Sequence, residues 1–374
     1  MLQRNAKVLK LARSWGRATE LDAEITAAPE GATCFLPGTT VRAVALTELV
    51  GQIGLGDNIR IDCSALAKNL GTGGYATVLS GSRLPADSLP AAGHIVKARY
   101  MPHQHVVQSV EEPDSPHHQI MAEATCLEGA PVLVADLHSA VPAVVAGIRS
   151  QDPTSRIAYV WDDTAALPLA FSMSIAKMRE CADLDCTITS GQSFGGDLEA
   201  ASMPSALLAA RHVAKADYIV VAQGPGNLGT ATRWGFSGTA TAQALHVAHA
   251  LGGKPIPVVR ASQADPRPKH LGISHHTLSV LNQLVLIQLD VPIVDSNSLS
   301  LSEAAKTALE NGARALAQRH TVHRVSSKSA LACLKHATVP LRTMGRGLSE
   351  DALAFAAASA AGIYAATLRG NRDN

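Results

Sequence analysis

The sequence has few aromatic residues, since Phe, Trp and Tyr make up 3% of its 374 residues. Proteins that bind single-stranded nucleic acid stack the bases on aromatic side chains in a basic groove, so this composition argues against such a ligand. The formal net charge is only +1. The sequence therefore does not predict the basic surface that a nucleic acid or an anionic membrane requires.

Long apolar runs and cysteine motifs are also missing. The longest apolar stretch, 280–294, is interrupted by Asn, Gln and Asp, and the N-terminal residues lack the apolar core of a signal peptide. The six cysteines form no CxxC pair and no zinc-type spacing, a pattern typical of reduced thiols. We therefore expect a cytoplasmic protein with no membrane partner.

Common catalytic motifs are absent too. The sequence contains no GxSxG, HExxH, P-loop or protein-kinase signature, which argues against several large enzyme classes. It does contain 47% hydrophobic residues, mostly aliphatic, which is enough for buried cores in a chain of about two domains. Whether the protein is an enzyme stays open on composition alone.

Two patterns divide the chain. Residues 1–90 hold short, partly alternating runs between Gly and Pro residues, which predicts a small all-β domain resembling a barrel. A linker rich in Ser and Pro follows at 80–92. Residues 301–374 predict a mostly helical C-terminal extension, with an Ala-rich helix at 348–368.

Between these regions, residues 93–300 predict an α/β domain. Helical patterns separate six short apolar runs, which lie at 131–135, 157–161, 186–189, 217–221, 256–259 and 291–294. Continuous apolar strands that alternate with helices are typical of a parallel sheet covered on both faces. Because crossovers are right-handed, we predict a doubly wound, mainly parallel sheet that is Rossmann-like.

Polar residues directly follow each of these runs, where ligands bind at the carboxyl edge of a parallel sheet. Two of these turns are rich in glycine, whose backbone N–H groups can approach an anion closely. We predict that the two loops lie side by side and bind a small anionic or phosphorylated ligand. The predicted ligand-binding residues are Gly195, Gly196, Gly224, Gly226, Gly229, Arg233 and Arg267.

The second glycine loop matches GxGxxG, the phosphate-binding pattern of dinucleotide domains. However, Gly235 and Gly238 delay the next helix, and Arg260 rather than an acid ends the following strand. The loop also comes late in the domain. These features argue against a dinucleotide cofactor.

The stretch 262–276 concentrates ionisable side chains. We predict catalytic roles for Asp265, His275 and His276, with His270 as a further candidate beside the acid. Ser274 is placed to cap a helix, and a positive charge in the first helical turn opposes the helix dipole. Neutral imidazoles are therefore favoured, and these can act as general bases or metal ligands. The same residues would also form an ordinary capped helix at the surface.

A divalent metal is a second open alternative. His138, Asp162 and Asp163 follow two neighbouring apolar runs and supply ligand types that bind such ions. Adjacent carboxylates at this point are equally typical of a turn followed by a helix cap. The sequence does not identify a cofactor beyond this.

Several motifs together resemble a bacterial protein family of unknown function. They are LGTGGY at 70–75, GHIVKARY at 93–100, LHS at 137–139, GGDLEA at 195–200, QGPG at 223–226, WGFSG at 234–238 and SHH at 274–276. The resemblance covers most of the chain. It implies no established activity, so no catalytic role comes with it.

The leading hypothesis is an enzyme that acts on a small anionic metabolite, with metal-assisted hydrolysis as one variant. The alternative is a non-catalytic metabolite-binding or regulatory protein using the same edge of the sheet. A structural assembly protein would require a large apolar face, for which the C-terminal helix is the candidate. The expected partner is a small molecule, and homo-oligomerisation stays open.

Overall fold

The computed structural model describes residues 1–70, 73–87 and 89–370, which form two compact units. The first unit contains Met1–Ala91, Tyr100–Gln104 and Ala170–Ala176; the second contains Ala92–Arg99, His105–Leu169 and the chain from Lys177 onward. The helical residues after 300 belong to the second unit. Part of the LGTGGY motif, one linker residue and the last four residues lie outside the described residues.

A closed five-stranded barrel forms most of the first unit. Its strands follow the order β1-β2-β3-β5-β4, and β1 closes the barrel by pairing with β4. Alternating residues point inward, as with Ala6 and Val8 on β1, so one face of each strand forms the core. The predicted small barrel is confirmed. Its elements are β1 (Gln3–Trp15), β2 (Ala18–Ala27), β3 (Thr40–Leu46), α1 (Thr47–Val50), β4 (Asn58–Asp62), α2 (Ser64–Ala67) and β5 (Ala76–Ser80).

Strands and helices alternate along the rest of the chain. They are β6 (Ile95–Lys97), β7 (His105–Val107), α3 (His118–Glu123), β8 (Pro131–Ala135), α4 (Val141–Gln151), β9 (Ile157–Asp162), α5 (Met173–Glu180), β10 (Cys186–Ser190), β11 (Leu198–Ala200), α6 (Met203–His212), β12 (Tyr218–Gln223), α7 (Ala240–Ala250), β13 (Lys254–Pro257), β14 (Ala261–Ser262), β15 (Gly272–Ile273), α8 (His275–Ser279), β16 (Asp290–Val294), α9 (Glu303–Ala317), β17 (Thr321–Val325), α10 (Ser327–Leu334), β18 (Arg342–Thr343), β19 (Arg346–Gly347) and α11 (Ala352–Gly370).

A six-stranded parallel sheet organises the second unit, in the order β11-β10-β9-β12-β8-β13. Every residue of β8, β10 and β12 is buried, which means that both faces of the sheet are covered. Helices α6 and α7 pack together, and α4 packs with α10 and α11. The predicted mainly parallel sheet is confirmed.

Two details of the sheet differ from the prediction. The run at 291–294 forms β16, which pairs with β17 in a separate two-stranded sheet. The sixth strand of the main sheet is instead β11, which lies outside the six apolar runs. There the Glu199 carboxylate accepts hydrogen bonds from Thr189 and Gly195, which favours pairing with β10 over a helical turn. Helix α6 begins only after Ser202, whose side chain caps it.

Helix α11 packs against α4 with almost no space between the backbones. A Cβ on Gly147 would lie 2.3 Å from the Ser359 carbonyl oxygen, and one on Gly362 would lie 2.1 Å from that of Val144. By length and composition α11 could cross a membrane, but 67% of its apolar window is buried inside the protein. Its packing is that of a core helix in a mixed α/β fold.

Candidate functional site

The histidine-rich stretch folds into a compact loop after the sheet. Strands β14 and β15 pair antiparallel and bring the two ends of the loop together. The chain then enters α8, where the Ser274 hydroxyl accepts a hydrogen bond from the His276 amide, as predicted for a helix cap. The Ser274 Oγ also lies 2.8 Å from His270 Nδ1. One serine therefore fixes both the helix start and the His270 ring.

Three histidines meet at this point. The ring centroid of His270 lies 4.9 Å from the ring centroid of His275 and 4.9 Å from that of His276. The centroids of His275 and His276 are 4.2 Å apart. One ligand nitrogen from each ring lies within 4.8 Å of the other two. The Nε2 atoms of His270 and His275 are buried and have no hydrogen-bond partner among the described residues. The cluster thus contains two buried imidazole nitrogens that the protein itself leaves unsatisfied.

The environment keeps these rings neutral. Burial lowers the pKa of His270 to about 4 and that of His276 to about 3, and it also lowers the pKa of His275. The positive charge of Arg260 acts in the same direction on all three rings. Near pH 7 the cluster therefore presents neutral imidazoles, the form that binds metal ions.

A phenylalanine from another loop packs on the cluster. The Phe236 ring is buried, and it stacks on His276 in a nearly parallel arrangement. Phe236 follows the second glycine loop, which connects β12 to α7. The loop after β12 thus forms one wall of the histidine cluster.

Asp265 lies close to the histidine cluster, but its carboxylate already forms ion pairs with two arginines. Its carboxylate accepts two hydrogen bonds from Arg267, at 2.9 and 2.8 Å, and its Oδ2 lies 3.4 Å from Arg346. The Arg267 guanidinium holds the pKa of Asp265 well below its usual range. Among the described residues, the oxygens of Asp265 accept hydrogen bonds from arginines and backbone amides and not from an imidazole. Asp265 and Arg267 are neighbours as expected, whereas within the described residues Asp265 forms no hydrogen bond to His270, His275 or His276.

The first glycine loop uses its amides internally. The Gly195 amide donates to Glu199 at 2.7 Å, and the Gly196 amide donates to the Thr189 hydroxyl at 3.2 Å. The loop leads into strand β11 and not into a helix. These two amides are therefore occupied in the structure, and no helix N-terminus follows them directly.

The two glycine loops follow strands β10 and β12, which are not direct neighbours in the sheet. Strand β9 lies between β10 and β12, and the segment after β9 separates the loops. In that segment the Ala166 amide donates to the Pro225 carbonyl, and the Leu167 carbonyl accepts from Phe194. The order of strands in a sheet depends on contacts between residues that are distant in sequence. The order of the two glycine loops along the chain therefore does not determine where they lie along the edge of the sheet.

The second glycine loop projects from the domain. Gly226 has a positive φ of 102°, and a Cβ there would meet no atom within 4 Å. A Cβ on Gly224 would lie 2.3 Å from the Trp161 ring, so only glycine fits there, and Gly229 forms an antiparallel β-bridge with Phe236. Arg233 is exposed and lies over the Trp234 ring. Helix α7 begins only at Ala240, so the glycine loop does not lead directly into a helix.

The residues predicted as a metal set do not form one ligand group in the described part of the chain. The Asp162 carboxylate accepts from the Thr164 amide, and that of Asp163 accepts from the Gln192 amide. His138 Nδ1 lies 3.3 Å from the Tyr159 hydroxyl, and burial lowers the pKa of His138 to about 4. Within the described residues, the group with metal-binding geometry is His270, His275 and His276.

Sequence reasoning undervalued two residues. The sequence predicts His270 only as a further candidate beside Asp265, although three histidines within seven positions are a usable signal. Arg260 was noted only as the end of a strand. Its charge faces all three imidazoles, a relationship that no local pattern reveals.

Comparison with known families adds one match. A family model described as "Protein of unknown function (DUF3866)" matches residues 42–362. This agrees with the resemblance inferred from the motifs. No curated protein matches the chain.

Proposed function

We propose that this chain, which belongs to the family of proteins of unknown function DUF3866, is a metal-assisted hydrolase of small anionic metabolites. The observation that carries the proposal is the pair of buried, unpartnered Nε2 atoms in the cluster of three neutral histidines. A buried polar atom without a partner is costly unless a ligand satisfies it.

The side chains fit a divalent transition metal such as Zn²⁺. His270, His275 and His276 would hold the ion, and three histidines are a known ligand set of catalytic zinc sites. When bound, such an ion lowers the pKa of a water ligand to near 7 and supplies a nucleophile. The Ser274 hydroxyl would orient His270 through Nδ1, leaving Nε2 for the ion.

Metal analysis of the purified full-length protein tests the proposal. We expect bound metal that a chelator removes, and a thermal shift when Zn²⁺ is restored. His270→Ala and His275→Ala should lose both, while His249→Ala, on the exposed face of α7, should keep both. A wild-type protein that neither contains nor binds Zn²⁺, Co²⁺, Ni²⁺ or Mn²⁺ would contradict the proposal.

A second candidate is a non-catalytic metabolite-binding or regulatory protein. It is favoured by the engagement of Asp265 with two arginines, which leaves that acid unsuited to proton transfer. Turnover separates the candidates. A panel of phosphate monoesters and carboxylic esters should be hydrolysed by wild-type protein and not by His275→Ala if the protein is a hydrolase.

We also propose a more specific fold type and a cellular location for the protein. Continuous burial of the central strands and two groups of packed helices support a doubly wound, Rossmann-like sheet with its ligand at the carboxyl edge. The described cysteines are free thiols, which supports action in the cytoplasm of a bacterial cell. The proposed partner is a small molecule and not a nucleic acid or a membrane, with homo-oligomers left to experiment.

A further inference from the structure

A small cavity of about 30 Å³ lies beside the histidine cluster within the second unit. Its charged lining consists of two acids, Asp136 and Asp265, and two bases, Arg260 and Arg346, and most of the remaining lining is aliphatic. Asp136 also borders the smaller pocket that contains His276. One carboxylate therefore borders both the cavity and the histidine cluster.

The arginines of this region differ in how well they are paired. Arg267 donates two hydrogen bonds to Asp265. Arg346 donates from Nε to Asp351 at 3.0 Å and lies 3.4 Å from Asp265. These two arginines and two aspartates balance one another in charge.

Arg260 is the exception. Among the described residues, its side chain makes one ion pair, in which Nη1 lies 3.6 Å from Asp136 Oδ2. That separation exceeds a normal hydrogen bond. The side chain is only 12% exposed, although a guanidinium carries five N–H donors. The Arg260 nitrogens are not among the buried, unpartnered side-chain atoms, so these donors stay open to the cavity and can bind an incoming ligand.

We propose that Arg260 binds the oxyanion of the substrate, a carboxylate or phosphate group, in this cavity. The planar guanidinium matches such groups through two parallel N–H bonds. The incoming oxyanion takes the place of Asp136, whose ion pair with Arg260 is long. The inference rests on the proposed function for the chemistry, and it names the substrate class of that same site.

Anion binding to the chelator-treated full chain tests this inference by calorimetry, with inorganic phosphate and formate as probes. We expect wild-type protein to bind at least one probe, and the two arms distinguish a phosphate from a carboxylate site. Arg260→Gln should weaken binding about tenfold or more, because a charge-assisted bond is lost. Arg314→Gln, on the exposed face of α9, should bind like the wild type.

A second variant keeps the test decisive if Arg260→Gln fails to fold. Asp136→Asn removes the competing charge, so phosphate or formate should bind more tightly. Unchanged affinity in either variant overturns the inference, as does wild-type protein that binds neither anion. Loss of binding in Arg233→Gln alone would move the anion site to the glycine loop and overturn it as well.

Zinc titration of the same proteins separates this inference from the proposed function. Arg260→Gln should still bind Zn²⁺, because the three histidines remain. If the anion depends on Arg260 while no variant binds metal, the hydrolase proposal fails and the anion site stands. If the protein binds metal but its affinity for anions does not depend on Arg260, the anion-site inference fails and the hydrolase proposal stands.

Discussion

The Phe236 ring lies parallel to the His276 imidazole, with 3.8 Å between the ring centroids and 6° between the planes. Phe236 comes from the loop after β12 and His276 from the first turn of α8. The contact holds one proposed metal ligand in a fixed orientation, because an imidazole stacked on a buried ring cannot turn freely.

Phe236→Leu should therefore weaken zinc binding. Loss of an aromatic pair costs about 0.5–1.5 kcal/mol, which corresponds to a roughly twofold to twelvefold larger dissociation constant by calorimetry. The control is Phe194→Leu, which removes a similar stack on His105 elsewhere in the same unit. Equal zinc affinity in Phe236→Leu and wild-type protein would show that the stack does not position His276.

Gly362→Ala should destabilise the second unit. The new methyl group would meet the Val144 carbonyl oxygen, so α4 and α11 would have to move apart. Overpacking of this kind costs about 1–3 kcal/mol, measured as the free energy of unfolding in urea. The exposed Thr367→Ala on the same helix should change it by less than about 0.5 kcal/mol. Similar values for both variants would contradict the close packing.

Asp351→Asn should be the most destabilising of the conservative changes. Asp351 is fully buried and accepts hydrogen bonds from Ser262, the Gln263 amide and Arg346. Neutralising one partner of a buried ion pair leaves the other charge uncompensated, at a cost of about 3–5 kcal/mol. Glu350→Gln, at the exposed neighbouring position, is the control. A change below about 1 kcal/mol in Asp351→Asn would contradict the role of the pair.

His320 should make stability fall at acid pH. The Leu289 amide donates to His320 Nδ1, and Nε2 lies 2.9 Å from the Leu281 carbonyl oxygen, so the neutral ring fits and the charged ring does not. Burial lowers the pKa of His320 below its usual 6.5. As pH falls through 6.5 the unfolded chain takes up a proton that the folded protein excludes, and stability declines.

Urea unfolding between about pH 7.5 and 5 measures this effect. Other buried histidines contribute in the same direction, so the useful quantity is the difference between wild-type protein and His320→Gln. In the variant the free energy of unfolding should fall less steeply with decreasing pH than in the wild type. The difference in slope should be up to about 1.4 kcal/mol per pH unit, which is the value for the uptake of one proton on unfolding. Parallel curves would show that His320 does not titrate differently in the two states. His249→Gln is the exposed control.

The local sequence pattern is enough to predict where most strands lie along the chain, but it does not predict their order in the sheet. Continuous apolar runs such as Pro131–Ala135 require burial on both faces, so they identify central parallel strands without further information. Strand β11 was missed because its three residues also fit the start of the following helix. The insertion of β12 between β8 and β9 depends on distant contacts that a local window does not contain.

The candidate site was predictable to a similar degree. The clustering of ionisable residues at 262–276 indicated the segment that holds the three adjacent histidines, and Ser274 indicated where the helix begins. The partners of Asp265 were not predictable, because Arg346 lies 81 residues away along the chain. The role of Arg260 likewise depends on Asp136, which lies at the end of another strand.

The close packing of α4 and α11 also bears on how the protein is made. Helix α11 follows every strand of the sheet in sequence, so the ribosome synthesises it after the surface that it covers. Until residue 370 has emerged, the small-residue surface of α4 around Gly147 lacks the partner whose backbone it contacts. During synthesis that apolar surface is open to solvent, chaperones and other nascent chains, and the second unit can complete its packing only after α11 has been synthesised.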